Sequence, residues 1–142
     1  MLKNKNIIHY IAGLILFLGF SCMNAQAHLE VHIEDIRSKN GDILLELLDT
    51  NEITIRAIVK KIDTLPIVID LYDIENGTYA LKFFHDSNSN KILDMNWMGI
   101  PQEGFGFSNN AYGLFMPKKF KEWLFEVKGD TTIVLIPKYL LK

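Results

Sequence analysis

His28-Leu-Glu-Val-His-Ile-Glu34, then Arg37-Ser-Lys-Asn-Gly41, then Ile43-Leu-Leu-Glu-Leu-Leu48 is the stretch whose reading decides the fold. Leu29, Val31 and Ile33 alternate with Glu30, His32 and Glu34, a period of two that sends successive side chains to opposite faces of a sheet. Gly41 offers the positive φ that a turn needs, so the segment predicts the start of a hairpin. The same rhythm continues outward. Ile53–Val59 is a third strand, Pro66–Leu71 a fourth with proline as its first residue, and Thr78–Phe84 a fifth after the Asn76-Gly77 turn. Ile53–Lys61 also reads as a short helix, but Ile53, Ile55 and Ala57 alternate and favour a strand. Phe120–Val127 and Thr132–Ile136 form a last pair joined by Lys128-Gly129-Asp130. About seven short strands with closely spaced turns predict an all-β fold, a two-sheet antiparallel β-sandwich of immunoglobulin-like or transthyretin-like type. Its inward faces are expected from Leu29, Val31, Ile33, Leu45, Leu47, Tyr79, Leu81, Phe83, Phe125, Val127, Ile133 and Leu135.

The 142 residues are 49% apolar and 23% charged, the composition of a single globular domain. A net charge of −2 leaves no basic footprint for nucleic acid. Lys3 and Lys5 precede a run from Ile7 to Phe20 too short to span a bilayer, and Ala25-Gln26-Ala27 supplies the small-x-small pattern of signal peptidase sites. We expect residues 1–27 to be a signal peptide, residues 28–142 to be one domain without a transmembrane anchor, and the product to be periplasmic or extracellular. Lipoprotein processing at Cys22 competes; Gly19 stands where leucine is usually wanted. Cys22 is the only cysteine, so cleavage after Ala27 leaves neither thiol nor disulfide.

The stretch from His85 to Lys119 breaks the strand rhythm, and long connections inside compact domains are usually functional. Asp86, Asn88 and Asn90 stand at positions 1, 3 and 5 of a calcium-loop template, with the Ile92 carbonyl at 7 and Asp94 at 9. The spacing rolls alternate oxygens onto one point, where a hard cation exchanges water for ligands. Leu93 is the apolar residue that would pin such a loop to a core. Lys91 replaces the glycine of position 6 and Trp97 the bidentate glutamate of position 12, so this is not a strict EF-hand. Glu103 is the candidate to close the shell by folding back. Calcium suits these hard oxygens better than zinc or magnesium. The alternative is an Asx-rich turn in which the same side chains bond their own backbone.

Gly77-Thr78-Tyr79-Ala80, His85-Asp86-x-Asn88-x-Asn90, Leu93-Asp94, Gly99-Ile100-Pro101 and Glu103-Gly-Phe-Gly-Phe-Ser-Asn-Asn110 together resemble the bacterial exported-protein family catalogued as domain of unknown function 2141. The resemblance spans nearly all of the chain beyond the signal segment. It implies a β-sandwich with no assigned activity, and a glycine commonly at the position of Lys91.

Trp97, Phe105, Phe107, Tyr112 and Phe115, spaced by glycines, offer either a stacking platform for a glycan or protein or a set of plugs for their own loop. Catalysis finds little support. His85 and Asp86 are neighbours on a strand and face opposite ways, Ser108 lacks a nucleophile elbow, and no His or Cys set has zinc spacing. Asp94 and Glu103 as a glycosidase pair have no separation fixed by sequence. The expectation is an exported, non-enzymatic binding module of the envelope with a calcium-ordered loop. The alternative is a purely structural or assembly domain without a ligand.

Overall fold

The computed structural model describes residues 26–141 except Phe115; most of the signal segment, including Cys22, lies outside the described residues. The strands are β1 (Gln26–Ile33), β2 (Asp42–Leu48), β3 (Thr54–Lys61), β4 (Ile67–Glu75), β5 (Gly77–Asp86), β6 (Gly104–Phe107), β7 (Phe125–Val127) and β8 (Thr131–Leu135). They form two sheets, β4-β1-β8 and β3-β2-β5-β6, with β7 also paired to β5. The fold is an all-β sandwich, as the alternation predicts. An immunoglobulin domain keeps its first two strands in one sheet, whereas here β1 and β2 lie in different sheets. Among the described residues no helix is long and apolar enough to cross a membrane.

Several connections differ from the sequence reading. The stretch around Gly41 crosses between sheets instead of closing a β1–β2 hairpin. Lys128-Gly129-Asp130 does the same between β7 and β8. There the Gly129 N–H donates to Asn76 Oδ1 and Asp130 Oδ1 accepts from the His28 N–H, so the turn is anchored to β1 and to the β4–β5 connection. β8 runs parallel to β1, from Leu29 opposite Thr131 to Ile33 opposite Leu135. The sandwich is therefore not wholly antiparallel, because its first and last strands enter one sheet from the same end. Phe120–Glu122 is a 3-10 turn, and only Phe125–Val127 of that predicted strand pairs. An eighth strand, β6, lies inside the long connection.

The core forms where alternation placed it. Leu29, Val31, Ile33, Leu45, Leu47, Leu81, Phe83, Val127 and Leu135 are buried, joined by Ile43, Ile62, Ile67, Ile69 and Leu71. Tyr79, Phe125 and Ile133 are only half-buried at its margin. Each buried aliphatic side chain contributes about 1.5–3 kcal/mol, which holds the two sheets face to face without any disulfide.

Candidate functional site

β5 and β6 are antiparallel neighbours, with His85 opposite Gly104, so the segment between them is one long hairpin loop. β5 ends in Asp86, fully buried, and Glu103 stands just before β6, 6% exposed. The loop is organised around these two carboxylates. Asp86 Oδ1 accepts the Asn90 N–H at 3.1 Å and Oδ2 the Lys91 N–H at 2.6 Å. Asn88 Oδ1 accepts from Asn90 N–H and Asn90 Oδ1 from Ile92 N–H, at 3.1 and 2.8 Å. The side-chain amides of Asn88 and Asn90 donate to Asp94, at 2.7 and 3.2 Å. Glu103 lies back against the loop, where its oxygens accept from Ser87 N–H, Ser87 Oγ and Asp94 N–H. It clasps the two ends of the loop together.

These bonds are successive Asx turns, and they bring Asp86, Asn88, Asn90 and Asp94 into one cluster. Lys91 has φ +65°, the left-handed conformation for which the template uses glycine. The Ile92 side chain is exposed while Leu93 packs against the Phe105–Phe107 cluster, anchoring the loop. A second Asx turn follows, Asn96 Oδ1 accepting from Met98 and Ile100 N–H groups. At its tip Trp97 is 92% exposed. Met98, Leu114 and Met116, also exposed, line an apolar groove beside it with Ile100 and Pro101.

The other candidate aromatics face inward. Phe105 and Phe107 are buried in β6, ring centroids 5.9 Å apart, and Tyr112 lies edge-on to Phe105 at 6.4 Å. Trp123 stacks on Phe107 at 4.0 Å. The Tyr112 hydroxyl donates to the Ile136 carbonyl, and burial pushes its pKa up to about 12. Phe105, Phe107 and Tyr112 plug the outer side of the β5–β6 ribbon, leaving Trp97, among the described candidate aromatics, presented to solvent. Phe115 lies outside the described residues.

His85 and Ser108, the groups nearest to catalytic chemistry, are both buried and engaged. His85 Nδ1 meets the Tyr139 hydroxyl at 3.1 Å and Nε2 the Asn40 carbonyl at 2.8 Å. Ser108 Oγ accepts from Leu81 N–H at 2.9 Å and donates to the Trp123 carbonyl. Asn109 amide donates to the Glu122 and Leu124 carbonyls, and Asn110 Oδ1 accepts from Ile136 N–H. Gly104 lies under the Tyr139 ring and Gly106 under that of Phe83, where an added Cβ would meet carbon at 2.5 and 2.1 Å. Every residue from Glu103 to Asn110 thus has a structural duty.

A β-sandwich with an Asx-rich loop between two paired strands is the class that fold and site define. Residues 31–134 match the family described as an uncharacterised protein conserved in bacteria, domain of unknown function 2141, and the chain belongs to that family. No curated protein matches it. One group with metal-ligating atoms all within 4.8 Å of one another occurs among the described residues, and it is outside this loop: His28, Glu30 and Asp70. Sequence spacing did not reveal it, because Asp70 arrives from another strand.

Proposed function

We propose that the chain is an exported, non-catalytic binding module whose loop from Asp86 to Asp94 is ordered by calcium and holds Trp97 out to a protein partner of the cell envelope. The observation that carries this reading is Trp97, 92% exposed at the tip of a loop otherwise tied down by carboxylate and amide bonds. An indole in water contributes nothing to folding, and exposed apolar side chains gathered around a groove favour association. The neighbours are Met98, Leu114 and Met116, adaptable apolar groups without the polar partners a glycan requires, so a protein surface is preferred to a sugar.

Calcium fits the donor set. Asp86, Asn88, Asn90 and Asp94 supply hard oxygens, the amide oxygens retain a second lone pair, and Ile92 adds a carbonyl. The ion would tie the loop together, a structural role. At millimolar calcium, a dissociation constant of about 0.1 mM adds about 1.4 kcal/mol. The melting midpoint should therefore rise by about 5 °C over that in chelator. Asp86→Asn should abolish the rise, and a soluble quencher should extinguish the Trp97 component of emission before that of Trp123. Equal midpoints with and without calcium would remove the ion from the proposal, and a protected Trp97 would remove the partner.

The second reading, a structural or assembly domain with a self-packed loop, is favoured by the inward packing of Phe105, Phe107 and Tyr112. Export rests on the charged start and short apolar run, with mass spectrometry of the mature N-terminus as its measurement. Gln26 and Ala27 already belong to β1, opposite Glu75 and Ile74, so cleavage after Ala27 trims that strand and processing at Cys22 spares it.

A further inference from the structure

The outer face of the β4-β1-β8 sheet carries an unusual row. β1 turns His28, Glu30 and His32 outward, and register places Asp70 of β4 directly opposite Glu30. Two carboxylates opposed across a ladder repel. Among the described residues no lysine or arginine is ion-paired to either; each carboxylate instead has an imidazole nitrogen within hydrogen-bond contact. His28 Nε2 lies 2.8 Å from Asp70 Oδ1, and His32 Nε2 touches Glu30 Oε1. The His28 ring is fixed by stacking on Tyr72, centroids 4.6 Å apart and 7° from parallel, and its main-chain N–H is held by Asp130.

We propose that this face binds a zinc ion through His28, Glu30 and Asp70, with His32 positioning the Glu30 carboxylate and water completing the shell. The three ligating atoms lie within 4.8 Å of one another, whereas ligands of a tetrahedral zinc ion lie about 3.4 Å apart. Small rotations of half-exposed side chains close that gap. Mixed imidazole and carboxylate donors select zinc over calcium, and the ion relieves the Glu30–Asp70 repulsion. The site shares no residue with the loop after β5, so the two ions are separable.

The test is zinc titration of the untagged full chain carrying Cys22→Ser, in competition with a chromogenic chelator. One equivalent should bind. His28→Ala and Asp70→Asn should each weaken binding at least tenfold, His32→Ala by about 10–100-fold as for an outer partner of a ligand, and Asp86→Asn not at all. Binding unchanged in a His28→Ala/Asp70→Asn double variant overturns the proposal, as does no binding by the parent chain. Should a variant misfold, cobalt added to the parent chain decides: broadening of the His28 and His32 ring resonances while His85 stays sharp supports the site, and sharp His28 signals at one equivalent sink it.

Discussion

Lys91 holds a left-handed backbone, φ +65°, that glycine adopts without steric cost. Its Cβ crowds the following carbonyl, a cost of about 1–2 kcal/mol for an L-residue, partly offset by the lower entropy of lysine in the unfolded chain. Lys91→Gly should raise stability by about 0.5–1 kcal/mol, measured by denaturant or thermal midpoint, and a lowered midpoint would contradict the strain. Calcium affinity rises with it only to the extent that the cation-free loop abandons this conformation, because strain present in both forms cancels. At this scale the sequence was informative: the template anticipated the turn at position 6, and Glu103 does return to the loop. Its duty was not legible, since nothing in spacing says that both oxygens would go to backbone N–H groups of Ser87 and Asp94.

β6 shows what alternation misses. Gly104-Phe-Gly-Phe107 is short, half glycine and buried at every position, so it offers no period-two signal and reads as loop. The glycines are there because Phe83 and Tyr139 occupy the space of a Cβ. A methyl group on Gly106 would stand 2.1 Å from Phe83 Cε1 and 2.6 Å from Tyr112 Oη. Gly106→Ala should therefore cost about 1–3 kcal/mol as overpacking, visible as a lower denaturation midpoint; a neutral result would show that both rings can move aside. The turns are a second blind spot. Gly41 takes the positive φ predicted for it and Gly129 takes one too, yet each turn chemistry serves a sheet-to-sheet crossing as well as a hairpin. Local signals fix that the chain turns, not which sheet it joins.

For the whole molecule, counting strands and turns was enough to name a sandwich, because each strand must bury its apolar face against another sheet. Pairing was not legible, and β1 is the clearest case. It lies in the middle of its sheet, with β4 on one edge and β8, the last of the described strands, on the other. Deleting the chain from Thr131 onward would uncover one whole edge of β1 and remove buried Leu135 from the core. We expect such a truncation to lose the cooperative melt and to be digested rapidly by protease, whereas a retained two-state transition would show β8 to be dispensable. The parallel β1–β8 ladder also sets a clock. β1 must wait until β8 has been made before its sheet is complete, so the sandwich cannot close on its earlier strands alone. If the chain is exported as proposed, a polypeptide threaded through a narrow translocation pore gains from that delay, since the β1 sheet stays open until β8 has followed it across.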